Sequence, residues 1–155
     1  MQLFNIALFE PEIPQNTGNI ARLCAATGCH LHLIGPLGFS LREKHLKRAG
    51  LDYWHLVDVH IYDSFEDFTT KHSNARFYYI TAKGKHCYTE FDFQPGDFFV
   101  FGSETHGLPE ELLAANRESC LRIPMVSGAR CLNLSNSVAI VVYSALHKQM
   151  FRGLS

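Results

Sequence analysis

Asn133, Ser135, Asn136 and Ser137 crowd into five positions of "CLNLSNSVAIVVYSAL", and a largely apolar run, 138–146, follows at once. Amide and hydroxyl groups at that density either cap a core helix or line a loop that the helix closes over a ligand. Two other stretches are comparably polar. "EPEIPQNTGN" offers Asn16 and Thr17, and "GSETHGLP" offers Ser103, Glu104 and His106 between Gly102 and Gly107. Singly, each has a structural explanation in a helix cap or a tight turn. Ser103 and His106 could pair as nucleophile and base, but the GxSxG elbow that exposes a hydrolase serine is absent. GxGxxG and GxxxxGK[ST] are absent too, so neither a dinucleotide fold nor a phosphate cradle is supported.

The elements that must position these loops alternate along the chain. "LFNIALF" is an apolar run suited to a buried strand, and "NTGNIARLCAATG" continues with helical spacing to a closing Gly28. "HLHLIGP", "HLVDVHIY", "RFYYITAKG", "DFFVFGSE" and "SCLRIPM" read as further strands. Between them, "REKHLKRAG" reads as a basic helix. Ser64 is an N-cap for "SFEDFTTKHS", with Asp67 in the capping-box place, and Pro109 suits the first turn of "PEELLAAN". Strand alternating with helix predicts an α/β domain with a mainly parallel sheet. Ligands of such sheets bind beyond the carboxyl ends of the strands. All three polar stretches fall there, together with "TAKG", which favours one shared site over three unrelated caps.

Composition sets the outer limits. A chain of 155 residues fits one domain, 1–155, and 46% hydrophobic content is ordinary for a globular core. No apolar run reaches a membrane span and the opening lacks a basic leader, so a cytoplasmic protein without membrane attachment is expected. The five cysteines lack CxxC spacing and are expected to be reduced. Cys29, His30 and His32 lie close together, but no second ligand pair has the spacing of a structural zinc site, so no metal is expected. The net charge of −1 does not by itself announce a nucleic-acid binder. The one dense basic patch holds Arg42, Lys44, His45, Lys47 and Arg48, and on charge alone it is a solvated helix face.

Three stretches together resemble the SPOUT superfamily of RNA methyltransferases: "NTGNIARLCAATG", "VFGSETHGLP" and "IPMVSGARCLNLSNSVAIVVYSAL". Their order and spacing match along nearly the whole chain. The opening "IALFEPEIPQNTGNIARLCAATG" and "RAGLDYW" are most similar to the bacterial tRNA (cytidine/uridine-34) 2′-O-methyltransferases, the minimal branch, which implies a single domain over 1–155 with no separate RNA-binding domain.

The resemblance implies a sheet ending in a deep trefoil knot, although true knots are nearly absent from folds. It implies S-adenosylmethionine bent into the knot, held by Ile80, Thr81, Gly102, Ile123 and Cys131, with glycines allowing the chain to approach the ligand. It implies ribose 2′-O-methylation of the wobble nucleotide in a tRNA anticodon stem-loop, leucine isoacceptors included. Arg22, Asn16, Glu104 and Asn133 carry the catalytic motif positions, with Asn16 expected to position Arg22. Because a guanidinium with a pKa above about 12 is a poor proton acceptor, Arg22 is better suited to clamping phosphate.

A homodimer through the first and last helices is implied, with Tyr143 in its interface. Arg42, Lys44, Lys47 and Arg48 then become the RNA surface, with Lys148 and Arg152 adding to it. Many relatives carry serine at Cys131, which a backbone contact tolerates, and often arginine at His106. The alternatives are a SPOUT enzyme acting on another tRNA or rRNA position, and a module that binds RNA or cofactor without transfer.

Overall fold

A computed structural model describes residues 4–41 and 54–155. Arg42, Lys44, Lys47 and Arg48, with the basic helix expected around them, lie outside the described residues. The strands are β1 (Asn5–Phe9), β2 (His30–Ile34), β3 (Val59–Tyr62), β4 (Phe77–Ile80), β5 (His86–Cys87), β6 (Phe98–Phe101) and β7 (Cys120–Arg122). They form a single sheet in the order β3-β2-β1-β6-β4-β7-β5, and every pairing is parallel. The α-helices among the described residues are α1 (Pro14–Thr27), α2 (Phe65–Lys71), α3 (Glu110–Ala115) and α4 (Leu134–Lys148).

Parallel strands need helical crossovers, so both sheet faces are covered and the strands can be apolar throughout. The two-residue side-chain period then sorts each strand between two cores. Ile6, Leu8, Phe99 and Phe101 face α1 and α4, packing with Ile20, Cys24, Val138 and Val142. Ala7, Phe98 and Val100 face the other way, toward Phe68 of α2 and the half-buried Leu112 and Leu113 of α3. His32 is buried on that second side, and burial pushes its pKa down to about 3. The neutral ring uses both nitrogens, Nδ1 with the Tyr62 hydroxyl and Nε2 with Asn5 Oδ1, each at 2.9 Å.

Local chemistry sets most helix ends as the sequence predicts. Pro14 opens α1, and Gly28 ends it in the left-handed region at φ 77°, donating its N–H to the Cys24 carbonyl at 2.9 Å. Ser64 Oγ accepts the Asp67 N–H at 3.0 Å, while the Asp67 carboxylate pairs with Lys71. Pro109 stands one position outside its helix, as the N-cap of α3. The short β5 has no pattern legible in sequence, since two residues cannot show a period. Among the described residues, no helix is long and apolar enough to cross a membrane.

Candidate functional site

The sheet reverses its order of progression between β1 and β6, and the loops after those two strands meet at their carboxyl ends, where open parallel sheets bind ligands. Glu104, in the loop after β6, fastens them. One of its carboxylate oxygens accepts the Glu12 N–H at 2.9 Å, and the other accepts the Ile13 N–H at 2.8 Å and the Asn16 side-chain amide at 3.2 Å. A carboxylate suits this place because the first N–H groups of α1 lack intrahelical partners and carry the positive end of the helix dipole. Glu12 returns the clasp, accepting the Thr105 N–H and Oγ1–H, both at 3.1 Å. The Thr105 N–H holds the Glu12 carboxyl below its ordinary range.

Asn16 extends the chain to a third loop. Its Oδ1 accepts from Asn133 Nδ2 at 3.1 Å, and Asn133 Oδ1 in turn caps α4 by accepting the Ser135 and Asn136 N–H groups. The polar cluster in "CLNLSN" is therefore both a helix cap and part of a site. The apolar half buries Val138, Val141, Val142, Ala145 and Leu146 in the core.

Around this chain lies a cavity of about 470 Å³, within the range of small-molecule sites. Ile80, Thr81, Gly102, Ile123 and Cys131 all line it, as do Asn16, Glu104 and Asn133. The Thr81 N–H is donated to the Leu121 carbonyl at 2.9 Å, while its carbonyl accepts the Gly84 N–H at 3.0 Å and its hydroxyl accepts the Lys83 N–H at 3.3 Å, so local bonds hold the turn after β4 against the cavity. Gly102 serves the loop itself. A Cβ there would lie 2.2 Å from the Gly107 carbonyl carbon and 2.4 Å from Leu108 N, so its backbone approaches the returning chain. The return is sharp: Gly107 takes φ 66°, and Ser103 and Gly107 exchange backbone hydrogen bonds at 3.3 and 3.0 Å. Ser103 Oγ accepts the His106 N–H at 3.1 Å, which gives the buried hydroxyl a structural partner rather than a nucleophile's base.

Met125, Leu132 and Lys83 also line the cavity, a role their types did not announce in sequence. His106 is exposed on a wall shared with a second hollow of about 450 Å³, bordered by Phe9, Glu10 and Leu37.

Arg22 stands apart. It is exposed on α1 and absent from the cavity lining. Six residues after Asn16, it lies roughly 240° around the helix. The Asn16 side chain is hydrogen-bonded to Glu104 and Asn133, on the cavity side of α1. Lys148 is also committed, its ammonium donating to the Thr89 and Phe91 carbonyls at 2.5 and 2.6 Å.

Residues 3–143 match the model of the SpoU rRNA Methylase family. A relative from Geobacillus stearothermophilus, provisionally named a tRNA (cytidine(34)-2′-O)-methyltransferase, is 58% identical over 97% of this chain and 98% of its own. A solved structure described as giving insight into the 2-OH methylation of C/U34 on tRNA is 45% identical. It superposes with a TM-score of 0.90 over 97% of this chain and 99% of that one. An AdoMet-bound rRNA methyltransferase from Sinorhizobium meliloti shares the fold at a TM-score of 0.82 and 24% identity, over 95% of this chain and 57% of that one. With the family match running nearly end to end and the polar loops gathered where the fold binds ligands, this chain belongs to the SpoU rRNA methylase family.

Proposed function

We propose that the chain is an S-adenosylmethionine-dependent tRNA methyltransferase acting on the ribose 2′-OH of the wobble nucleotide, a cytidine or modified uridine at position 34. The observation that carries this reading is the Glu104–Asn16–Asn133 chain, which ties three loops around one cavity at the β1/β6 switch point. It stands beside relatives of nearly equal length named for this reaction.

The cavity suits the cofactor in size and lining. Ile80 and Ile123 give apolar walls for a planar base, and loop backbone surrounds them. S-adenosylmethionine supplies an electrophilic methyl group when bound. The chain's own residues position the rest. Glu104, Asn16 and Asn133 act by holding the loops, since all three direct their polar atoms at one another and at backbone N–H groups. Arg22 binds the phosphate next to the reacting ribose and orients its hydroxyl, and the proton goes to another acceptor. Positioning of this kind turns a bimolecular transfer into an effectively unimolecular one, which lowers its barrier.

The domain works as a homodimer in the cytoplasm, with the loops of the carboxyl edge threaded as a trefoil knot. α1 and α4 pack together, and they expose Arg22 and Tyr143, the latter 43% accessible. Dimerisation through these helices places Arg22 at the joint surface rather than in its own chain's cavity. The second hollow, with Phe9 and Leu37 on its walls, offers a stacking surface for an unpaired anticodon base. Arg42, Lys44, Lys47 and Arg48 supply phosphate contacts, which position RNA without reading it.

Methyl transfer from labelled S-adenosylmethionine to undermodified bacterial tRNA, followed by nucleoside mass spectrometry, tests the reading. A 2′-O-methylated nucleoside at position 34 is expected. Label at another position moves the target, and cofactor binding without transfer leaves a non-catalytic module. Arg22→Ala should abolish transfer with cofactor affinity nearly intact; an equal loss of both would remove Arg22 from the phosphate role.

A further inference from the structure

At the opposite edge of the sheet, where β2 and β3 begin, three potential ligands converge. β2 and β3 run parallel with Leu31 beside Val59 and His32 beside His60, so His30 stands next to Asp58. The two-residue period then places His30, His32, Asp58 and His60 on one face. Asp58 reaches both of its histidine neighbours, Oδ2 to His30 Nδ1 at 3.0 Å and Oδ1 to His60 Nε2 at 3.1 Å. One donor atom from each of the three residues lies within 4.8 Å of the others.

We propose that His30, Asp58 and His60 form a zinc-binding site that fastens the start of β3, the edge strand, to β2. Two imidazoles and one carboxylate are ligands for a first-row transition ion rather than for magnesium or calcium, which take oxygen. Ligands about 2.0–2.1 Å from a tetrahedral zinc ion lie roughly 3.3 Å apart. The two observed contacts are already near that separation, so the ion can replace two hydrogen bonds with small side-chain movements. His32 is not a ligand, because both of its nitrogens are engaged with Tyr62 and Asn5. Its ring instead supports the site, stacking on His60 with centroids 5.0 Å apart and planes at 16°.

Spacing along the chain does not announce this site, since Asp58 and His60, at the start of β3, lie 28 and 30 positions beyond His30. The side chains are 28%, 54% and 44% accessible for His30, Asp58 and His60, which leaves a path for the ion and a fourth position for water. The site lies across the sheet from the cavity, so the ion acts on the fold rather than on methyl transfer. An ion that binds only the folded chain raises its melting temperature.

Isothermal titration of the metal-free full-length protein with zinc chloride tests the proposal. One equivalent should bind with micromolar affinity, and the melting temperature should rise by roughly 5 °C at saturation. His60→Gln and Asp58→Asn, both at accessible positions, should weaken binding by at least about tenfold while leaving the circular dichroism spectrum unchanged. Anomalous diffraction at the zinc edge should place the ion among the three side chains. The proposal is overturned by an absence of saturable binding, or by zinc that binds both variants as tightly as the parent and therefore sits on other ligands, such as Cys87 or Cys131.

Discussion

Asn133 Nδ2 donates a hydrogen bond to Asn16 Oδ1 at 3.1 Å, joining residues 117 positions apart. Through Asn16 the same chain reaches Glu104 at 3.2 Å, so the starts of α1 and α4 and the loop after β6 are fixed relative to one another. No member of this chain is spare. Removing any one leaves a partly buried polar partner without its bond, which is more damaging than the net value of the bond itself.

Asn16→Ala should therefore destabilise the protein by about 1–3 kcal/mol, and Asn133→Ala by about 1–2 kcal/mol through loss of the α4 cap. Urea unfolding measures both. Each should also weaken S-adenosylmethionine binding by calorimetry, because the cavity walls move with the loops. Unchanged cofactor affinity in a destabilised Asn16→Ala would limit the chain to folding.

Gly102→Ala tests the close approach of the loop to itself. The new methyl would meet backbone atoms of Gly107 and Leu108 at 2.2 and 2.4 Å, which cannot rotate away as a side chain could. A loss of at least about 2 kcal/mol is expected, with a collapse of cofactor affinity. A variant that retains full stability would show that the loop has room to give.

The cysteines should divide cleanly in their reactivity. Burial pushes the Cys24, Cys29 and Cys120 thiols up, whereas hydrogen bonding from Thr89 brings Cys87 down. Thiolate is the reactive form. Iodoacetamide should label Cys87 and the exposed Cys131 in the native protein, and reach the other three only after denaturation. Since Cys131 lines the cavity and Cys87 does not, S-adenosylmethionine should protect Cys131 alone. Peptide mass spectrometry reads the outcome, and equal protection of both would argue against cofactor in this cavity.

Thr17 Oγ1 is buried with no hydrogen-bond partner among the described residues. Thr17→Val keeps the shape, removes the orphaned hydroxyl and should stabilise the protein by about 1 kcal/mol. A lowered melting temperature would show that the hydroxyl has a partner after all, such as a bound water.

Periodicity alone placed the longer elements. The apolar runs of β1, β2, β4 and β6 and the caps at Gly28 and Ser64 were legible because strand alternation and helix termini are local physics. The resemblance carried by three motifs also named the cavity-lining residues Ile80, Thr81, Gly102, Ile123 and Cys131. What each polar residue bonds to was not legible, because that depends on which strands become neighbours. Glu104 could have faced substrate; the β1–β6 pairing turned it onto the start of α1. Arg22 could have sat beside Asn16; the helical turn carried it to the exposed side. Gly102 could have made room for a ligand; the tight return at Gly107 required it for the backbone. His30 lacked a second ligand pair until the parallel pairing of β2 with β3 brought Asp58 and His60 beside it. The sequence determined its longer elements and its family. The tertiary structure alone decided which distant side chains bond to one another, because contacts over such separations follow from strand order and not from spacing along the chain.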